Sequence, residues 1–298
     1  VPSQSSGLSL WYGWCKRVAG QSERASRSSS RPRTNHRIIN TGEASMSTIT
    51  TPTVRRSMAT IDFAERSKQD ELMDTEPVDF EEFRACLVDL ARVNRLTLAY
   101  RPTLAFFDRL LEKGRRLGRP IEVVDVGSGY GDMLREIDAW ALRRGVAVSL
   151  TGVDLNPWSR LAATEATSPS RKINWVTTDA FAYEPPRPID VVVSSLFAHH
   201  LPDPLVARFL GWMEANARLG WFVNDLHRHP LPYHFFRHFA KLARFHRFVQ
   251  HDGPVSIARA FVASDWHRLL AEAGIDRAAV DIRWMMPFRL TVGRLKKG

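Results

Sequence analysis

Apolar residues recur at helical spacing in the stretch that follows Asp79. They are three or four residues apart, with charged residues between them, and they are Phe80, Phe83, Leu87, Leu90 and Val93. This spacing places the apolar side chains on one face, so it predicts an amphipathic helix. A second helix is predicted from Pro102 through Leu111, with its end near Gly114 and Gly118.

Beyond Pro120, short apolar runs alternate with longer helical stretches. The runs predict strands at 121–126, 146–153, 173–177, 189–194 and 220–223, and the stretches between them predict helices at 132–144, 159–166 and 204–217. Runs such as 191–193 are apolar on both faces, as in strands buried between two helix layers. The alternation predicts a mostly parallel α/β sheet, whose ligands bind at the carboxyl ends of the strands.

The formal net charge of +10 over 298 residues is concentrated at one end of the chain. Residues 1–57 hold nine Lys or Arg side chains against two acidic ones, and the remainder is nearly balanced. This Ser- and Arg-rich segment has no apolar periodicity, so we predict that it is disordered. Three interpretations stay open for it: a targeting sequence, a basic arm for nucleic acid, and a dispensable extension ahead of Met46 or Met58.

Cysteine content and hydropathy exclude several classes of protein. Two cysteines, Cys15 and Cys86, cannot form a disulfide framework, which favours a reducing compartment, and we expect the protein to be cytoplasmic. No apolar run approaches the roughly 18 residues of a membrane span. Membrane-embedded, collagen-like and disulfide-stapled classes are therefore excluded.

The first predicted strand runs into a glycine-rich loop, Asp125-Val126-Gly127-Ser128-Gly129-Tyr130-Gly131-Asp132. Glycine lets the backbone turn tightly and lets a ligand approach closely. The G-x-G-x-G spacing differs from the G-x-G-x-x-G fingerprint of dinucleotide sites, which disfavours a nicotinamide oxidoreductase. Asp132 stands where a helix N-terminus would receive a phosphate. A carboxylate is a poor neighbour for a phosphate, so the loop favours a cofactor without phosphates.

Two further acids end the next two predicted strands. Asp154 follows the second strand, where a carboxylate can accept hydrogen bonds from ribose hydroxyls. Asp179 follows the third strand, where it can accept a hydrogen bond from an adenine amino group. Each acid alone is typical of a helix cap or turn. Together with the glycine loop, they predict a cofactor that carries adenosine.

The chain resembles the class I S-adenosylmethionine-dependent methyltransferases over about residues 75–298. VVDVGSGYGD (123–132), GVDLNP (152–157) and TTDAF (177–181) look like the first three motifs of that family. VVVSSLFAHHLPDP (191–204) is similar to the fourth-strand motif of small-molecule members such as the quinone-biosynthesis enzymes. DLARVNRLTLAYRP (89–102) and NDLHRHPLPYH (224–234) look like methyltransferases encoded beside type III polyketide synthases.

The resemblance implies a Rossmann-like fold: a seven-stranded, mostly parallel sheet with helices on both faces and an antiparallel last strand. It implies an N-terminal helical lid at 75–118 and a methyltransferase domain at 119–298, ending in a hairpin of 281–284 and 288–295. S-adenosylmethionine would be the cofactor. The residues that would bind it are Asp125, Gly127, Ser128, Gly129, Gly131, Asp154, Leu155, Asp179, Ala180 and Ser195.

Methyl transfer from a sulfonium mainly requires that the nucleophile be aligned and water excluded. If the acceptor is a phenol or an enol, a base of near-neutral pKa helps, and histidine fits. The candidate catalytic residues are therefore His199 and His200 after the fourth strand and His227 after the fifth, with packing and capping as the alternative for the first two.

The histidines after the fifth strand raise the question of a metal, since His227, His229, His234 and His238 lie close together in sequence. No cysteine or acidic partner is interleaved at a zinc-like spacing. A mixture of histidine, arginine and aromatic residues is more typical of a helix over an aromatic pocket. We therefore expect no metal.

The sequence thus predicts an enzyme that methylates a small, largely apolar aromatic, phenolic, polyketide-like or quinone-like acceptor, on oxygen in preference to carbon. A nucleic-acid (RNA) methyltransferase is the first alternative. It is disfavoured because Ser194-Ser195-Leu196-Phe197 stands where an N-P-P-Y-like motif is usual. The second alternative is a protein that binds S-adenosylmethionine without catalysis. It is disfavoured because the glycine-rich loop keeps its motif intact.

Overall fold

The structure is a computed structural model that describes residues 61–113 and 118–296. The predictions for segment 1–57 lie outside these residues, as does Gly114, near which the second helix was expected to end. The helices are α1 (Leu72–Thr75), α2 (Phe80–Leu96), α3 (Arg101–Glu112), α4 (Asp132–Arg144), α5 (Pro157–Glu165), α6 (Asp203–Asn216), α7 (Pro230–Leu242), α8 (Arg247–Arg259) and α9 (Ala263–Glu272). The strands are β1 (Ile121–Val126), β2 (Val148–Asp154), β3 (Ile173–Thr177), β4 (Val191–Ser195), β5 (Gly220–Leu226), β6 (Asp281–Met285) and β7 (Arg289–Leu295).

The seven strands form one sheet in the order β3-β2-β1-β4-β5-β7-β6. Strands β1 to β5 pair in parallel, and β7 pairs antiparallel with both β5 and β6. The predicted fold class is confirmed, including the antiparallel last strand. The strand order reverses between β1 and β4, and in such sheets the crevice at this point receives the ligand.

Strand β5 is longer than the apolar run that predicts it. The run stops at Val223, whereas the strand continues to Leu226 and pairs with β7 along its whole length. The polar residues Asn224 and Asp225 end the apolar pattern, yet both are buried. They fit in the interior because they hydrogen bond with neighbouring groups, among them the carbonyl of Ala99 and the backbone N–H of Leu226.

Helices cover both faces of the sheet, each over its own apolar cluster. On one face, α6 and α9 pack with residues such as Phe209 and Trp266 against Val192 of β4. On the other face, α3 and α4 pack with Phe107 against Val191 and its neighbours. Adjacent residues of β4 thus enter opposite clusters, which explains why the run is apolar without alternation.

Helix α2, in the segment predicted to be a lid, lies over the carboxyl-end side of the sheet. Asp79 caps it by accepting the backbone N–H of Glu82 at 2.8 Å. Its apolar face packs through Phe83 against α5 and through Cys86 against α7 and α8. Residues 61–74 precede the predicted start of the lid and are also ordered against this side. In the part of the chain that the structure describes, no helix is both long and apolar enough to cross a membrane.

Candidate active site

A cavity of about 1780 Å³ opens at the carboxyl ends of the parallel strands. Loops after β1, β2, β3 and β4 form its floor, and α1 and α2 cover it. Apolar side chains of α2 and α7, such as Leu87, Leu90 and Phe235, line its outer part. Pockets for one drug-sized ligand measure roughly 300–1,000 Å³. This cavity therefore has room for two molecules side by side.

Most of the predicted site residues meet in this cavity. Nine of the ten predicted cofactor-binding residues line it, namely Asp125, Gly127, Ser128, Gly129, Asp154, Leu155, Asp179, Ala180 and Ser195. His199 and His200 also line it, whereas Gly131 and His227 do not.

The three loop glycines differ in what surrounds them, although all have positive φ. At Gly129 an added Cβ would meet no atom within 4 Å, so this position faces the open cavity. At Gly127 it would lie 2.5 Å from the ring of Phe197. At Gly131 it would lie 2.2 Å from the ring of Trp175. Gly131 therefore makes room for a tryptophan of β3, and the cofactor-binding role that the resemblance implies for it stays a prediction.

Asp154 links the ends of β1 and β2. Its Oδ2 accepts the backbone N–H of Gly129 at 2.8 Å, and its Oδ1 accepts that of Asn156 at 2.9 Å. Burial raises the pKa of Asp154, and these hydrogen bonds offset part of the increase. The carboxylate is thus fixed in orientation beside the glycine loop, as a group that binds a ligand diol requires.

Asp125 and Asp179 have different surroundings. Asp125 is 2% exposed, and its Oδ1 has no hydrogen-bond partner within the described ranges. Burial, followed by repulsion from Asp132 and Asp154, holds the pKa of Asp125 well above its usual range. A ligand with a cationic donor group would relieve both costs. Asp179 Oδ1 instead accepts the backbone N–H of Phe181 at 2.8 Å, which is a capping role, although the residue still lines the cavity.

Three further buried polar atoms on the cavity wall lack a partner among the residues described: Ser195 Oγ, Asn224 Oδ1 and Arg289 Nη1. Arg289 is 3% exposed, and its Nη2 donates to Thr97 Oγ1 at 3.1 Å. Burial lowers the pKa of Arg289 to about 10, so the guanidinium stays charged at neutral pH. A buried cation with a free N–H suits a ligand that carries an oxygen anion.

The histidine pair is the polar centre of the cavity. His199 Nδ1 lies 2.7 Å from Asp225 Oδ1, and His200 Nδ1 lies 3.1 Å from Asp74 Oδ2. The Nε2 atom of each ring lies 3.8 Å from a different oxygen of Glu71. Burial alone would raise the pKa of Asp225, but the charge of His199 and the hydrogen bonds it receives lower it overall.

The protonation of His200 follows from the acids around it. Burial alone would lower its pKa, but the negative charges of Glu71 and Asp74 outweigh burial and raise the pKa to about 9. Sequence reasoning missed both acids, because they precede the first amphipathic helix and belong to no motif. The one available signal was that two adjacent histidines, if buried, need carboxylate partners.

His227 and Arg228 do not reach the cavity. The backbone N–H of His227 donates to the carbonyl of Phe288, and its ring stacks with that of His229. Burial lowers the pKa of His227, as do the charges of His229 and Arg228. Arg228 pairs with Asp265 at 2.8 Å and donates to the carbonyls of residues 63 and 64. It therefore anchors the first described segment instead of facing a ligand.

The four histidines of segment 227–238 do not form a cluster. Within 61–113 and 118–296, the set of side chains close enough to share a metal ion is Glu71, His199 and His200. Their ligand atoms all lie within 4.8 Å of one another. The histidines whose spacing in the sequence raised the question of a metal are therefore not brought together at one point.

Comparison with known proteins agrees with this fold. Residues 97–277 match the family described as a methyltransferase domain. The structure of the plantazolicin methyltransferase BpumL, in complex with a pentazolic desmethylPZN analog and SAH, is similar with a TM-score of 0.53 and 14% identity, covering 74% of this chain and 97% of that one. Human N-acetylserotonin methyltransferase in complex with SAM has a TM-score of 0.52 and 16% identity, covering 74% of this chain and 57% of that one. At these identities the likeness shows the fold. No curated protein sequence matches this chain significantly.

Proposed function

The chain belongs to the methyltransferase-domain family, is a class I methyltransferase and takes S-adenosylmethionine as its cofactor, and we propose that it methylates a small, largely apolar aromatic acceptor. The observation that carries the proposal is the two-part cavity. One part is walled by the glycine loop and the strand-end acids, and the other by apolar side chains of α2 and α7. A second, apolar molecule thus has its own space beside the cofactor.

The strand-end residues fit the cofactor. Asp154 offers an oriented carboxylate for the ribose hydroxyls, and Asp125 offers a buried acceptor that lacks a partner in the described chain, suited to the amino group. Gly129 leaves open space above the loop. When bound, S-adenosylmethionine supplies an electrophilic methyl group on a sulfonium and leaves as a neutral thioether. The protein therefore has only to align the acceptor and promote loss of its proton.

Three basic groups favour an acceptor that reacts through oxygen. Arg289 presents a buried guanidinium with a free N–H, which would stabilise a phenolate or enolate. His199 and His200, oriented by Asp225 and Asp74, form the cluster at which we propose that the hydroxyl loses its proton. The O–CH₃ bond then forms as the S–CH₃ bond breaks.

The test is binding and turnover by the full chain. We expect calorimetry to show stoichiometric binding of S-adenosylhomocysteine, and a screen of phenols, pyrones and quinone precursors with methyl-labelled cofactor to label an oxygen. If the protein does not bind the cofactor product, or if label appears in RNA and in no small molecule, the proposal is wrong.

A pair of variants on one helix tests the apolar wall. Leu231 and Leu242 both lie on α7 and are 60% and 85% exposed, but only Leu231 lines the cavity. Leu231→Asn should raise the KM for the acceptor several-fold and leave the Kd for S-adenosylhomocysteine unchanged. Leu242→Asn should change neither quantity. Equal effects of the two substitutions would show that α7 does not contact the acceptor.

A further inference from the structure

The short helix α1 is fixed in place by a residue of α8. Asp252 accepts the backbone N–H of Leu72 at 2.8 Å through Oδ1 and that of Met73 at 3.0 Å through Oδ2. This anchoring presents Glu71 and Asp74, at either side of the bonded pair, to the histidines after β4. Glu71 is 3% exposed, although the basic groups that face its carboxylate lie no closer than 3.8 Å.

The two imidazoles have the same arrangement. Each Nδ1 faces a carboxylate at hydrogen-bond distance, Asp225 for His199 and Asp74 for His200. A neutral imidazole that donates from Nδ1 carries its lone pair on Nε2. Both Nε2 atoms point toward Glu71, each 3.8 Å from one of its oxygens. A histidine whose second nitrogen is held by a carboxylate is the usual arrangement of a metal ligand.

Glu71 itself lacks the partner that its burial requires. Its Oε1 is buried and accepts no hydrogen bond from the residues that the structure describes. The nearest guanidinium, that of Arg259, lies 3.9 Å from Oε1. Arg259 donates instead to the carbonyls of His199, His200 and Gln69. A buried carboxylate oxygen left in this way needs a cation or a proton.

The distances favour a shared cation over direct hydrogen bonds between these groups. The carboxylates of Glu71, Asp74 and Asp225 surround the two imidazoles, and the guanidinium of Arg259 lies 3.9 Å from Glu71 Oε1. An imidazole that donated a hydrogen bond to Glu71 would hold its Nε2 about 2.7–3.2 Å from the carboxylate oxygen. The observed 3.8 Å is too long for that. It lies within the span of two ligands that each sit about 2.0–2.2 Å from one ion.

We propose that Glu71, His199 and His200 bind one divalent transition-metal ion in the cavity. Two histidines and one carboxylate are a donor set for Zn²⁺ or Fe²⁺ and leave coordination positions open. All three residues line the cavity, so an oxygen of a second molecule can complete the coordination. Asp225 and Asp74 set the orientation of the two imidazoles.

The ion gives the cluster a role in the proposed function, on which this part of the inference rests. A divalent cation lowers the pKa of a bound hydroxyl. The acceptor hydroxyl would ionise on the ion, with its proton released to solvent. Its oxygen would then form the O–CH₃ bond as the S–CH₃ bond of the cofactor breaks. The histidines would act as ligands and not as the bases that the sequence suggested.

The experiment is metal binding by the full chain after treatment with EDTA and dialysis. We expect one equivalent of Zn²⁺ by calorimetry, and a Co²⁺ absorption spectrum typical of nitrogen and oxygen ligands. Glu71→Gln keeps the size of the side chain and should weaken binding about 100-fold. Glu76→Gln is the matched control, because Glu76 lies five residues away, is 39% exposed and pairs with Arg247. It should leave the affinity unchanged.

A second variant keeps the proposal testable if Glu71→Gln does not fold. Asp225→Asn should weaken Zn²⁺ binding about 10-fold and shift the Co²⁺ spectrum, because it disturbs the orientation of His199. Absence of stoichiometric binding by the wild type overturns the proposal. So does equal binding by the wild type and folded Glu71→Gln.

The metal site and the methyltransferase assignment fail separately. If the EDTA-treated protein binds no metal and still methylates an acceptor at the full rate, the inference is wrong and the proposed function stands. If the protein binds one equivalent of metal through Glu71 but methylates no small molecule, the site is supported and the proposed function is wrong.

Discussion

The two loop glycines that line the cavity allow a sharp test of the structure. Gly127 and Gly129 both have positive φ, +72° and +49°. Alanine at either position therefore carries the cost of a left-handed backbone, about 1–2 kcal/mol. Only at Gly127 would the new Cβ also collide with Phe197, at 2.5 Å. Phe197 is held on its far side by the ring of Phe209, 5.7 Å away, so it has little freedom to move.

The collision sets the difference in stability. Overpacking a buried site costs about 1–3 kcal/mol, so Gly127→Ala should lower the free energy of unfolding by about 2–5 kcal/mol in total. Gly129→Ala should lower it by about 1–2 kcal/mol. For a domain of this size each kcal/mol corresponds to about 2–4 °C in Tm. We expect losses of about 10 °C and about 4 °C respectively.

Gly129→Ala, the less destabilised of the two variants, should nevertheless lose affinity for the cofactor. The methyl group of Gly129→Ala projects into the open cavity above the loop, where the cofactor binds. A steric penalty of about 1.4 kcal/mol corresponds to a tenfold increase in Kd. We expect at least that loss of affinity for S-adenosylhomocysteine from a variant that remains well folded. Gly127→Ala should be distinguished by its loss of stability.

Thermal unfolding and calorimetric titration measure both quantities. The double variant Gly127→Ala/Phe197→Ala removes the collision, so the two substitutions should be non-additive by at least about 1 kcal/mol. If the two effects simply add, or if Gly129→Ala is the less stable single variant, the geometry assigned to the loop is wrong. Normal cofactor affinity of Gly129→Ala would refute its place beside the ligand.

Three further predictions concern charged groups. Asp154→Asn should weaken S-adenosylhomocysteine binding about 10- to 100-fold, because a charged hydrogen-bond acceptor contributes about 1.5–3 kcal/mol; unchanged calorimetric affinity would contradict this. Asp190 and Asp281 each contact two arginines, with 1% and 52% exposure. Asp190→Asn should therefore cost about 2–4 kcal/mol in denaturant unfolding and Asp281→Asn less than about 1 kcal/mol. Arg289→Met should raise the KM for the acceptor about tenfold with little change in cofactor affinity, and an effect confined to the cofactor would contradict its role.

The Asp190 prediction has a pH signature. Burial would raise the pKa of Asp190, but hydrogen bonds from Arg119, the backbone of Glu122 and Arg218 lower it overall. A carboxylate with a depressed pKa stabilises the fold above its unfolded pKa, about 3.9, and loses that contribution as the pH falls through its folded value. The Tm difference between the wild type and Asp190→Asn should be full at pH 7 and should vanish in acid. A difference that persists in acid would rule out the ionic origin.

The fold could be predicted closely because its signals are local. Strand β1, strand β3 and helix α4 have the predicted bounds. Helix α4 is bounded by Gly131 and Gly145, both in the left-handed conformation, and glycine marks such positions in sequence. Strand β5 extends beyond its prediction because burial of Asn224 and Asp225 depends on partners elsewhere in the chain.

The sequence predicted only part of the site, because some of its residues belong to local motifs and others do not. Strand-end residues such as Asp154 occupy positions that topology brings together, so motif spacing finds them. Glu71, Asp74 and Arg289 reach the cavity through tertiary contacts that leave no periodic pattern. Gly131 is a different case, since a glycine can be required by a neighbouring tryptophan as well as by a ligand.

The anchoring of α1 by Asp252 has a consequence for how the protein is made. Leu72 and its partner Asp252 are 180 residues apart, so a ribosome adding roughly 5–20 residues per second separates them by roughly 10–35 seconds. Strands β1 to β5 are all synthesised within that interval. Glu71 and Asp74 thus emerge early but find their positions late. A nascent chain arrested before α8 would hold most of the sheet while its histidine pair still lacked the anchor for these acids.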